Sequence, residues 1–138
     1  MATLRQHLYG EHPLRALVTV IAVGGTTALL LIPFGLLEIG VSGLIGTAVF
    51  AIALGVVPGV AGGICGRYRL GFPAAVGSGI APGVAFYLVV AVGAALEVGS
   101  FGGGDSPLGP FALLLTTPSF LLATAGFTLT ILVTILRE

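Results

Sequence analysis

Few residues in this chain have chemistry to offer, and the first candidates are two prolines in glycine-rich company. Residues 55 to 83 read GVVPGVAGGICGRYRLGFPAAVGSGIAPG, nine glycines in 29 residues, and the string PGVA begins at Pro58 and again at Pro82. A proline inside a helix has no N–H for the carbonyl four residues back, so it frees that carbonyl and tends to kink the helix. Freed carbonyls beside glycine are the material of a discontinuous-helix site for an ion or small solute. Close helix packing explains the same residues, and it is the preferred reading. Glycine and proline are frequent in membrane helices. No charged residue falls inside any apolar stretch of the chain, whereas an intramembrane charge is the usual mark of an ion or proton path. The two PGVA strings also lie at similar depth, so they do not mark an inverted repeat.

The remaining candidates are weaker. A hydroxyl series, Thr116, Thr117, Ser119, Thr124, Thr128, Thr130 and Thr134, is suited to lining a pore or to bonding back onto its own helix carbonyls; back-bonding is the expectation, and it extends to Thr26 and Thr27. His7, His12 and Glu11 are read as solvated interfacial residues, since two imidazoles five apart do not share a helix face and would need further ligands for a metal. Cys65 is two residues from Arg67, which favours a thiolate; with no second cysteine it is read as a packing residue. No Ser-His-Asp, HExxH or paired-carboxylate arrangement is present. The chain is therefore expected to be non-enzymatic, with no cofactor and no metal.

Composition defines the setting. Of 138 residues, 57% are hydrophobic and 7% charged, against about 25% charged in a soluble domain. Net charge is zero, which offers no footprint for nucleic acid. The expected partner is the lipid bilayer. The chain has no Lys or Asn; both use AT-rich codons, so a GC-rich, prokaryotic source is expected. Four apolar stretches, about 15–37, 41–64, 72–96 and 110–136, are each long enough to cross a core of about 30 Å as a helix. The first is too long for a signal-peptide h-region of about 7–15 residues and is read as a retained span. The expected fold is all-α, a bundle of four transmembrane helices formed by residues 15–138, after a cytoplasmic N-terminal segment 1–14. Arg5, Arg15, Arg67, Arg69 and Arg137 all fall on one side of this topology, while Glu38, Glu97 and Asp105 fall on the other. The positive-inside rule then puts both termini in the cytoplasm of a multi-pass cell-membrane protein. Tyr9, Tyr68 and Phe72 are expected at the inner interface, with Phe34, Phe101 and Phe111 at the outer one. The stretch EVGSFGGGDSPLGP (97–110) is expected to be a flexible connector.

Two rows of small residues organise the middle spans. Every fourth residue of the second is small: Gly43, Thr47, Ala51, Gly55, Gly59, Gly63; the third carries Gly71, Ala75, Gly79 and Gly83. Such rows make grooves that admit a neighbouring backbone, the small-xxx-small mode of membrane helices. The second and third spans are accordingly expected to form a tight antiparallel hairpin. The rows exceed what one hairpin needs, so the chain is expected to act through helix contact, as a homo-oligomer or as an accessory subunit of a larger membrane complex. The alternative is a small channel or carrier, with its path at Pro58 and Pro82. The strings GGTT (Gly24 to Thr27) and GGICGRY (Gly62 to Tyr68) resemble pieces of the small four-span fluoride channels. That family has them in the other order and uses an asparagine and a phenylalanine-lined track that this chain lacks. The resemblance covers about a dozen residues and is not adopted.

Overall fold

The computed structural model of the chain describes residues 4–37, 43–98 and 108–137. Glu38, Asp105, Phe101 and most of the 97–110 connector lie outside these residues. The described residues form a short helix α1 (Leu4–Tyr9), then α2 (Pro13–Leu36), α3 (Leu44–Ala51), a π-helical turn (Ile52–Val56), α4 (Val57–Arg67), α5 (Phe72–Ala95) and α6 (Leu108–Arg137). α3, the π turn and α4 run on as one helix, Leu44–Arg67, so the described residues include four helices long and apolar enough to cross a membrane. At about 1.5 Å per residue, 24 residues exceed the roughly 30 Å of a hydrocarbon core.

The second long helix reaches Arg67, three residues beyond its expected end at Ile64. It stops in a Schellman motif: Arg69 takes a left-handed φ of +52°, and the N–H of Leu70 donates to the carbonyl of Cys65 at 2.9 Å. α5 closes the same way, with Glu97 at φ +54° and the N–H of Val98 donating to Gly93 at 3.0 Å. The N-terminal segment docks on the first of these turns. The Glu11 N–H donates to the carbonyl of Arg69 at 3.0 Å, and Gly10 and Gly71 lie backbone to backbone. Both have positive φ, +77° and +95°. A Cβ on Gly71 would sit 2.8 Å from the Gly10 nitrogen, so glycine is required there twice over.

The neighbours in the bundle are set by glycine contacts. A Cβ on Gly77 would meet Val20 at 2.9 Å and one on Gly24 would meet Ala81 at 3.8 Å, so α2 and α5 run parallel. α4 and α6 are also parallel, while α5 and α6 are antiparallel and clasped at both ends by Phe72–Phe127 and Phe86–Phe111, each with ring centroids 5.7 Å apart. α6 packs about equally on α4 and α5, and α2 leans mainly on α5; α4 and α5 touch less. The interior is small and partly polar. The largest fully buried side chains are Thr27, Pro58, Pro82, Cys65, Ser78 and Ser119. Large apolar residues such as Leu113, Leu129 and Leu136 face outward. A water-soluble fold does the reverse.

Candidate functional site at the meeting of α4, α5 and α6

Ala123 marks the centre of the bundle. It is completely buried, and glycines approach it from two sides. A Cβ on Gly62 of α4 would strike the Ala123 carbonyl oxygen, and one on Gly79 of α5 would lie 3.3 Å from the Ala123 Cβ and 2.6 Å from the Cα of Phe120. One turn along, a Cβ on Gly66 would be 2.9 Å from the carbonyl oxygen of Phe127. The contact is reciprocal, because a Cβ on Gly126 of α6 would strike the carbonyl oxygen of Gly59. On α5, a Cβ on Gly83 would strike the Thr116 hydroxyl. Two backbones thus lie directly against a third.

This corrects the expected hairpin in one respect. The small rows of the second and third long helices do not chiefly face one another; both face the fourth. The seven glycines expected at packing positions divide accordingly. Gly79 and Gly83 are in tight contact with α6. Gly55, Gly59 and Gly63 line the edge of the groove, with their nearest α6 atoms 3.4, 3.8 and 3.3 Å from a built Cβ. Gly71 is a turn residue before α5, packed on Tyr9 and Gly10 at the end of α1 and not on a long helix. Gly43 is exposed, and no described atom lies within 4 Å of its built Cβ. The tightest α4 positions, Gly62 and Gly66, belong to no row of fours that begins at Gly43. A step of four residues overshoots a 3.6-residue turn, so the row winds off the contact face, and the π turn shifts it again.

The two prolines free carbonyls with different fates. Pro58 has no N–H for Leu54. The Leu54 carbonyl accepts instead from the hydroxyl of Ser119 on α6, at 2.8 Å and buried. The π turn just before Pro58 accommodates its ring. Pro82 withdraws its N–H from Ser78, and the Ser78 hydroxyl is itself buried beside the Cys65 thiol, a weak partner, with no well-formed hydrogen bond among the described residues. Both prolines are fully buried.

The other hydroxyls of α6 bond back onto their own helix. Thr116, Thr117, Thr124, Thr128, Thr130 and Thr134 each donate to the carbonyl four residues earlier, at 2.7 to 3.2 Å. Thr26 and Thr27 do the same on α2. Cys65 is buried with Leu70, Ala74, Ala75 and Phe127. Glu11 and His12 are exposed; the side chain of His7 lies outside those described. The structure gathers the arginines at one end of the bundle. Arg67 and Arg137 line one hollow, Arg69 is bonded through its carbonyl to the N-terminal segment, and Arg15 opens α2 beside the start of α5. Arg5 is on α1, which contacts α5. Sequence reasoning missed Ser119, Ser78, Gly62, Gly66 and Gly126 as contact residues. The available signal for one of them was the carbonyl four before each proline, which names Ser78 itself and Leu54, the acceptor of Ser119.

The chain matches no protein-family model, no curated protein and no solved structure.

Proposed function

We propose that the chain is a non-enzymatic multi-pass protein of the cell membrane, with both termini cytoplasmic. It acts through helix–helix contact, as a homo-oligomer or as an accessory subunit of a larger membrane complex. Four long apolar helices with outward-facing leucines support the membrane reading, and five arginines at one end support the orientation. One observation carries the assembly reading. α4 and α5 turn their small residues onto α6, but the first half of the second long helix does not: Gly43, Thr47 and Ala51 stay exposed. That open half-groove suits another helix. Gly59 and Gly79 already serve contacts within the chain, so the test uses Thr47→Leu. Native mass spectrometry of the gently extracted protein should show an oligomer or a fixed-stoichiometry complex that Thr47→Leu abolishes. A lone monomer would sink the reading.

A second reading, a small channel or carrier, has the Ser78 hydroxyl on its side: buried, one turn before Pro82, and with no partner stronger than the Cys65 thiol among the described residues. Liposomes holding the protein would then pass an ion or small solute, and Ser78→Ala would slow that flux. Absence of flux for a panel of ions and solutes would leave this reading without support.

A further inference from the structure

We propose that the arginine-bearing end of α6 holds one anionic diacyl phospholipid, its phosphate between Arg67 and Arg137 and an acyl chain along α6. The inference rests on the membrane reading above and is independent of the assembly reading. Gly66 packs beside Thr130, so α4 ends at Arg67 level with Thr130, while α6 continues seven residues to Arg137. Seven residues are two turns, about 10 Å. The step leaves an open hollow of about 390 Å³, lined by Arg67, Leu129, Thr130, Val133, Thr134 and Arg137.

The lining is divided by chemistry. Thr130, Thr134 and Arg137 share one face at spacings of four and three; Leu129 and Val133 form the stripe beside it. Both threonine hydroxyls donate to helix carbonyls, so their lone pairs and not their protons face the hollow. The two guanidiniums are its cationic donors, and no acidic residue lines it among the described residues. Glu138 lies outside those residues. Two guanidiniums lining one hollow at an apolar boundary offer a phosphate diester complementary charge, and each offers a fork of donors.

The apolar part continues inward. Leu129 also belongs to an open face of α6 that carries Leu121, Ala125, Thr128 and Leu132. From Leu132 to Leu121 is about 16 Å of helix, close to the roughly 15 Å depth of one leaflet. A soluble phosphate would use the hollow only. A diacyl lipid uses the hollow and also the apolar face of α6 that continues from it through Leu129, and that apolar continuation favours the lipid.

The test is native mass spectrometry of the full chain from neutral detergent, titrated with phosphatidylglycerol or with phosphatidylcholine of the same chains. The expected result is one retained phosphatidylglycerol, preferred over phosphatidylcholine by about fivefold per arginine engaged. Arg67→Gln with Arg137→Gln should erase the preference, and Arg5→Gln should leave it. Ala125→Leu, which adds bulk to the apolar face of α6, should weaken retention of long-chain phosphatidylglycerol and leave retention of a short-chain phosphatidylglycerol unchanged. Equal retention of the two lipids, or an equal loss from Arg5→Gln, overturns the proposal. Competition by inorganic phosphate at the same concentration as the lipid also overturns it, in favour of a soluble anion. Alkaline carbonate extraction of cell membranes separates the two levels: a chain released by carbonate removes the membrane reading itself.

Discussion

Ser119 and Ser78 are both serines, both completely buried, and both tied to a proline, yet one is satisfied and the other is not. Ser119 donates across helices to the carbonyl that Pro58 leaves free. Losing that bond leaves a buried carbonyl short of a donor. Ser119→Ala should therefore lower stability by about 1 kcal/mol, the scale of an interhelical hydrogen bond, read by thermal unfolding of the helices in detergent. The Ser78 hydroxyl makes no such bond to a carbonyl among the described residues; its polar neighbour is the Cys65 thiol, a weak partner whose loss costs little. Ser78→Ala should stay within about 0.5 kcal/mol of the parent or exceed it. If Ser78→Ala loses as much as Ser119→Ala, its hydroxyl has a partner that matters. A proline thus predicts an acceptor, but the sequence cannot name the donor. Ser119 is 65 positions from Leu54, and only the register of α6 against the second long helix brings them together.

Helix existence was the legible part of the elements, because four long apolar runs admit only helices if lipid surrounds them. Helix ends were less so. The second span was expected to end at Ile64, but the chain follows the helix through Arg67 and turns at Arg69, a non-glycine in left-handed φ. The pairing was the least legible. Small rows say that something packs closely and do not say what, and a hairpin was inferred from chain proximity. The structure gives the grooves of α4 and α5 to α6, which lies next to one of them in sequence and parallel to the other. The tightest contact tests this arrangement. A Cβ at Gly62 meets the Ala123 carbonyl, which is backbone and cannot rotate away. Gly62→Ala should force α4 from α6 and cost about 1–3 kcal/mol. Gly25→Ala, where no described atom lies within 4 Å of the added carbon, should gain roughly 0.5–1 kcal/mol from the helix backbone. Equal behaviour of the two substitutions would mean that α6 does not lie in the α4 groove.

For the whole molecule one variable remains, which way the bundle faces. The arginines do not vote separately. The N-terminal segment is bonded to the turn at Arg69, Arg137 shares a hollow with Arg67, and Arg15 stands at the same end through the parallel contact of α2 with α5. On the membrane reading proposed above, the body would insert with all of them inside or all outside, and the positive-inside rule favours inside because translocating each arginine is costly. Glu97, at the far end of α5, is the described charge on the other side. Cys65, the one cysteine, is fully buried, so Cys65→Ala gives a silent background for labelling. In intact cells a membrane-impermeant maleimide should label Glu97→Cys and leave Glu11→Cys untouched until the membrane is opened. The opposite pattern would place the arginine end outside, and with it the hollow between Arg67 and Arg137. That hollow would then meet the outer leaflet, away from the negative potential of a cytoplasmic surface. The same labelling thus fixes both the orientation and the leaflet from which an anionic lipid must come.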